Sequence, residues 1–194
     1  MADWAGQFGN DYTDRNSEIP RRDEFWAKIL PKGIHGVHEI GCNVGTNLEA
    51  IRRIRKDVLT ITGVDVNENA VKVAQKRGLN VTLPPPDTAT LYKADFVFTV
   101  GLLIHLRTPE LITELRRMYQ STFRYVFFAE YFSPYDVEVP YRGERGALFK
   151  RDFGKIFETL LPNAVTLVDS GQAGKDLGFD NTHWWLYDVS NSPS

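Results

Sequence analysis

Along this chain the apolar positions switch between a two-residue and a 3.6-residue period, and each switch marks an element. Apolar, β-branched or aromatic runs at 37–40, 59–64, 96–100 and 125–129 read as strands, with a weaker one at 80–83. Between them the spacing is helical. Leu48, Ile51 and Ile54 face inward from a helix whose outer face is Arg52, Arg53, Arg55 and Lys56. A second helix runs from an Asn67 cap to about Arg77, with Gly78 in the C′ position. A third starts at Thr108-Pro109-Glu110 and buries Leu111, Ile112, Leu115 and Met118. Upstream, Phe25, Trp26, Ile29 and Leu30 mark a helix stopped by Pro31 and Gly33. Strands alternating with amphipathic helices imply a mostly parallel sheet with helices on both faces, an α/β protein. The rhythm breaks at the end. Residues 165–168 and 184–189 are strand-like, but the stretch between them is rich in Gly and Asp, which predicts a loop-joined antiparallel pair on the edge of a seven-stranded sheet.

The flanks read differently from this body. Residues 1–22, rich in Gly, Asn, Asp and Arg, read as an irregular arm before a domain at 23–189, and the Ser-rich tail 190–194 is expected to fray. With 194 residues the chain is long enough for one substantial core. Lys and Arg total 23 against 25 Asp and Glu, which removes a whole-chain basic footprint for nucleic acid or an anionic membrane. The single cysteine, Cys42, excludes an intrachain disulfide, and no residue spacing supports a metal site. The polar, acidic first 25 residues do not read as a signal peptide, and no apolar run is long enough to span a bilayer; the expectation is a cytoplasmic protein.

In an open α/β sheet, ligands sit outside the carboxyl ends of the strands, so the loop after the first strand is where chemistry is sought. There Gly41-Cys42-Asn43-Val44-Gly45 places two glycines four apart, allowing close backbone approach and a tight turn into a helix. Asp65 ends the second strand, 24 residues after Gly41, near the spacing of a carboxylate that accepts both ribose hydroxyls. A dinucleotide would need glycine where Asn43 and Thr46 stand, and a side chain facing a pyrophosphate is a steric objection. S-adenosylmethionine carries no phosphate and tolerates Asn43.

The segments EIGCNVGTN (39–47), GVDVNENAVKVA (63–74) and DFVFTVGLLIHL (95–106) resemble, in order, motifs of the class I S-adenosylmethionine-dependent methyltransferases. The segments WAGQFGNDYTDRN (4–16) and AEYFSPYDVEVPYRGERGALFKRDFG (129–154), with a late WWL (184–186), resemble the pseudaminic-acid-biosynthesis-associated methylases. The resemblance implies a Rossmann-like class I methyltransferase fold with S-adenosylmethionine as cofactor. Carried over by position, Gly41, Cys42, Asn43 and Gly45 would wrap the methionine part, and Glu39 and Asn47 would also bind the cofactor. Asp65 would bind the ribose, Val66 would pack on adenine, and Thr99 and Val100 would line methionine and ribose. The arm, with Tyr12, Arg15 and Asn16, would fold over the cofactor as a lid. The acid or amide that many relatives place after strand three to hold the adenine amine is not evident in LPPPDTAT (83–90), where Asp87 is the only acid.

Methyl transfer from a sulfonium is an in-line displacement with a neutral leaving group, so the protein must position the nucleophile and exclude water. His105, after strand four, is the first candidate base, with packing as its other reading; His35, His38 and His183 read as structural. Glu130, ending strand five, is placed either to touch the acceptor or to orient His105, and Tyr131 beside it to form a wall. Between Tyr141 and Lys155 five basic residues oppose two acidic ones, so Tyr141, Arg142, Lys150 and Arg151 are candidates for an anionic small-molecule acceptor. The resemblance makes that acceptor a sugar or sugar-nucleotide precursor of surface glycans. A nucleic-acid methyltransferase is disfavoured because Thr99-Val100-Gly101-Leu102 stands where an Asp/Asn-Pro-Pro-aromatic motif would be needed. The nucleic-acid methyltransferase and a non-catalytic S-adenosylmethionine-binding protein are the alternatives.

Overall fold

The computed structural model of the chain describes residues 3–15, 22–85, 91–143 and 145–190, and of Arg15 only the backbone. Helix α1 (Gln7–Arg15) and helix α2 (Asp23–Ile29) precede the first strand, β1 (Gly36–Ile40). Then follow α3 (Thr46–Ile54), β2 (Thr60–Val64), α4 (Glu68–Lys76), β3 (Asn80–Thr82) and β4 (Ala94–Val100). After a 3₁₀ turn at Leu103–His105 come α5 (Thr108–Ser121) and β5 (Thr122–Glu130). A two-stranded ribbon, β6 (Val137–Glu138) with β7 (Phe149–Lys150), leads to α6 (Phe153–Leu160), β8 (Thr166–Ala173) and β9 (Thr182–Asp188).

The main sheet has the order β3-β2-β1-β4-β5-β9-β8. Strands β1 to β5 run parallel to one another, while β9 runs antiparallel to both β5 and β8, as the loss of helical spacing near the end of the chain predicts. Alternation along the strands builds two cores. Phe96, Phe98, Phe127 and Trp184 pack with Trp26, Leu48 and Ile51 on one face. Their sequence neighbours Val97, Val126, Phe128 and Trp185 pack with Leu111, Leu115, Phe153 and Phe157 on the other.

Local signals set the helix ends. The Asn67 side chain accepts from Ala70 N–H at 2.9 Å, Asp152 accepts from Lys155 N–H at 2.9 Å, and Glu110 reaches back to Arg107 N–H at 2.8 Å. Gly78 takes the left-handed conformation, φ 73°, after α4.

One expectation fails. The arm is not irregular: residues 7–15 form α1, although Gly9, Asn10 and Thr13 are poor helix formers. Tertiary contacts hold it, since Asn67 Nδ2 donates to Trp4 O and Asn10 Oδ1 at 3.2 and 3.1 Å, and Trp4 stacks edge-on with Phe8 and Tyr12. The Gly- and Arg-rich stretch before α6 also carries strand structure, in the β6–β7 ribbon, which its irregular pattern does not announce.

Candidate active site

The loop between β1 and α3 turns sharply because three of its residues have positive φ: Gly41 (71°), Asn43 (47°) and Gly45 (78°). A Cβ on Gly45 would lie 2.3 Å from Leu79 Cδ1, so this glycine lets α3 pack against the chain after α4. A Cβ on Gly41 would press on Leu102 at 3.0 Å, so the β1 and β4 loops approach closely there. Between them opens a cavity of about 1120 Å³ at the carboxyl ends of β1, β2 and β4, covered on one side by the arm.

Asp65 reaches across the turn. Its two oxygens accept from Asn43 N–H at 2.7 Å and Asn67 N–H at 2.8 Å, while burial raises its pKa. A carboxylate has about four acceptor positions, so these two bonds leave capacity facing the cavity that Asp65 lines. Asn43 accepts from Thr13 Oγ1 at 3.2 Å, which fastens α1 to the glycine loop.

Below the loop runs a buried polar chain. Glu39 accepts from Asn47 Nδ2 at 2.6 Å, and Asn47 Oδ1 accepts from Arg22 Nη1 at 2.9 Å and Trp26 Nε1 at 3.2 Å. Glu39 Oε2 is buried without a partner among the described residues, and burial pushes its carboxyl up to about 8. Arg22 continues the chain, donating to Gly178 O at 3.0 Å and lying 4.1 Å over the Phe179 ring. Burial lowers the Arg22 pKa while Glu39, Tyr12 and Asp180 oppose that shift.

His105 enters from the turn after β4. Its Nδ1 is 2.6 Å from Ala147 O, and a carbonyl only accepts, so Nδ1 carries the proton and Nε2 keeps its lone pair. Burial lowers its pKa to about 4, so the ring is neutral at pH 7. Trp4 and Tyr141 flank it at ring-centroid distances of 4.3 and 5.5 Å.

Of the other sequence candidates, Tyr12, Cys42, Asn47, Val66, Val100, Tyr131, Tyr141 and Arg142 also line the cavity. Burial pushes Tyr12 up to about 12 and holds the Cys42 thiol well above its ordinary value, so Cys42 acts as a packed wall.

Five candidates are placed elsewhere. Gly45 serves the turn. Thr99 is buried within β4, its hydroxyl without a partner among the described residues. Glu130 is fully buried beneath the β4 loop, accepting from Leu102, Leu103 and Ile104 N–H at 3.1, 3.0 and 3.3 Å; burial pushes it up to about 8. It supports the turn that carries His105 and does not line the cavity. Arg151 pairs with Asp136 at 2.9 Å and donates to Leu106 O at 2.8 Å, beside a separate surface cleft. Lys150 lies 5.7 Å from the Tyr131 ring, outside the cavity lining. Charge counting along the chain does not register that neighbouring Lys150 and Arg151 have different partners. Asn16 and Asp87 lie outside the described residues, as does the Arg15 side chain.

Sequence reasoning missed Arg22 and the Gly178–Asp180 loop, which also line the cavity. The signal for Arg22 was its position at the start of α2; nothing local marked Asp180.

No protein-family model matches the chain, and no curated protein does. Solved structures do. The magnesium protoporphyrin IX methyltransferase ChlM from Synechocystis PCC 6803, with bound S-adenosylmethionine, is similar at TM-score 0.70 and 16% identity, over 97% of this chain and 95% of that one. The plantazolicin methyltransferase BpumL, in complex with S-adenosylhomocysteine, is similar at TM-score 0.62 and 14% identity, over 93% and 88%. The mitomycin 7-O-methyltransferase MmcR is similar at TM-score 0.65 and 15% identity, over 87% of this chain but 53% of that one. At these identities the likeness is one of fold: the chain has the Rossmann-like class I methyltransferase fold.

Proposed function

We propose that this protein is an S-adenosylmethionine-dependent methyltransferase acting on a small molecule. The observation that carries the reading is the convergence of the glycine loop, Asp65 and the unpartnered Glu39 oxygen on one cavity at the carboxyl ends of β1 and β2. The residues fit the cofactor. An ammonium group beside Glu39 Oε2 would favour the ionised carboxylate and supply the partner that this buried oxygen lacks, Asp65 has acceptor capacity for ribose hydroxyls, and Gly41 leaves room where a Cβ would crowd Leu102. When bound, S-adenosylmethionine supplies an electrophilic methyl group on a sulfonium.

The chain's own residues then orient the acceptor and exclude water. Neutral His105 presents the Nε2 lone pair to an acceptor hydroxyl or amine, holding it in line and taking its proton as bond formation makes it acidic. Trp4, Tyr12 and Tyr141 shield that position, and the described part of the arm, which lines the cavity through Trp4, Gly9, Tyr12 and Thr13, acts as a lid over the domain at 23–189. Arg142, at the cavity mouth and 5.6 Å from the Tyr141 ring, favours an acceptor bearing a carboxylate or phosphate. The finer reading, an acidic or nucleotide-linked sugar of surface glycans handled in the cytoplasm, rests on Arg142 and on the sequence resemblance. Among the described residues no helix is long and apolar enough to cross a membrane.

Calorimetric titration with S-adenosylmethionine, S-adenosylhomocysteine and NAD tests the cofactor directly. Micromolar binding of the two sulfur nucleosides, and none of NAD, is the expected result, followed by turnover in a screen of acidic and nucleotide-linked sugars. No binding of either sulfur nucleoside would overturn the proposal.

A further inference from the structure

Next to the turn that carries His105, a second cleft of about 740 Å³ opens at the start of α5. Leu106 lines the candidate active site and its neighbour Arg107 lines this cleft, but no residue lines both. Three arginines from three segments meet there: Arg107 at the start of α5, Arg145 from the β6–β7 loop and Arg151 just after β7.

Arg151 is built into the cleft wall. Its side chain is only 4% exposed and lies 4.2 Å over the Phe149 ring, with Nη1 donating to Leu106 O at 2.8 Å and Nε to Asp136 Oδ1 at 2.9 Å. Asp136 is 61% exposed, so this buried cation is balanced only from the solvent side, and its Nη2 has no hydrogen bond among the described residues. The Arg107 guanidinium rests on Gly146, where a Cβ would lie 3.0 Å from Nη2. Neither Arg107 nor Arg145 forms an ion pair among the described residues. The two acids of the cleft already hold its frame: Asp136 binds Arg151, and Glu138 Oε1 accepts from Gly146 N–H at 2.7 Å.

We propose that this cleft is a second ligand site, which binds a phosphate dianion through Arg107, Arg145 and Arg151. A planar carboxylate fills one guanidinium fork, whereas a tetrahedral phosphate offers oxygens to donors arriving from three segments, and Thr108 adds a hydroxyl. Three guanidinium groups against two carboxylates leave a small positive excess, which suits one phosphate group and not a polyanion such as nucleic acid. The ligand is free inorganic phosphate or the phosphoryl group of a larger molecule, which carries close to two charges at neutral pH. The site does not depend on the cofactor reading above.

The test is calorimetric titration of wild type, Arg107→Ala, Arg145→Ala, Arg151→Lys and Arg142→Ala with inorganic phosphate, glucose 1-phosphate and acetate near neutral pH, with circular dichroism to verify folding. Wild type is expected to bind at least one of the two phosphates roughly tenfold or more tighter than acetate. Arg107→Ala and Arg145→Ala are each expected to weaken that binding by about three- to tenfold, since both side chains are exposed. Arg151→Lys, which keeps the charge and loses the fork, is expected to weaken it by about tenfold. The two exposed variants carry the test if Arg151→Lys fails to fold. Arg142→Ala, in the other cavity, is expected to keep the wild-type affinity. Tighter binding of glucose 1-phosphate assigns the cleft to a phosphorylated molecule; equal or tighter binding of inorganic phosphate makes the free ion sufficient. Phosphates bound no better than acetate, an affinity unchanged in both Arg107→Ala and Arg145→Ala, or one lost in Arg142→Ala overturns the site and leaves the cofactor reading standing.

Discussion

Asp65 shows how one side chain carries two duties. It clamps the glycine loop through Asn43 N–H and Asn67 N–H, and in the proposed complex it also receives the ribose. Asp65→Ala is therefore expected to weaken S-adenosylhomocysteine binding by about 1–3 kcal/mol, the cost of unpaired hydroxyls, and to lower Tm as well because two loop N–H groups lose their acceptor. Calorimetry and thermal unfolding separate the two losses; unchanged affinity with lowered Tm would leave Asp65 as a loop clamp only. His105 divides in the other direction. His105→Ala is expected to reduce kcat by about a hundredfold, at the low end for a proton-transfer group because the ring is weakly basic, with little change in cofactor affinity. Equal losses in both quantities would make it a packing residue between Trp4 and Tyr141.

Elements decide which residues meet. The turn at Leu103–His105 has no side-chain cap of its own; Glu130, from the end of β5, accepts three of its N–H groups. Glu130 is thus a positioning residue for His105. Glu130→Ala is expected to cost about 3 kcal/mol of stability, since several buried donors are stranded together, and to lower kcat more than it raises the acceptor KM. Glu130→Gln, which keeps one acceptor oxygen, should restore part of both; a kcat that stays at the wild-type level in folded Glu130→Ala would detach the turn from catalysis. The same scale explains what the chain pattern announced and what it hid. The caps at Asn67 and Asp152 and the glycine after α4 act within a few residues, so they are visible locally. Helix α1 was hidden because its propensity is poor and its support comes from Asn67, which lies 57 residues beyond Asn10.

Across the whole molecule, burial lowers histidines and raises glutamates, with the large shifts at His38, His105, Glu39 and Glu130. His38 and His105 are lowered from 6.5 to about 4, so the unfolded chain binds their protons first, and stability falls as pH drops from about 6.5 toward 4. Glu39 and Glu130 are raised from 4.5 to about 8, so the folded chain holds their protons longer, and stability falls as pH rises through that window. Between about pH 5 and 6 the two pairs nearly cancel, and from about 6.5 to 8 only the glutamates act. The Tm of the ligand-free protein is expected to be nearly flat over the first interval and to decline over the second. A Tm that climbs from pH 6.5 to 8 would contradict the burial of these carboxyls in protonated form.

By itself the sequence determined the layered α/β architecture, because hydrophobic period and end-capping are properties of neighbouring residues. It also placed the glycine loop and Asp65, since a tight turn needs positive φ and the acid follows at a characteristic spacing. The tertiary structure decided which side chains share the cavity. Arg142 lines it while Arg151, equal in charge and nine positions on, is folded against Asp136 and Leu106. Arg22 and Asp180 join it from segments 158 positions apart. Burial and distance set the strength and partners of a charge, and neither quantity exists until strands distant in sequence lie side by side.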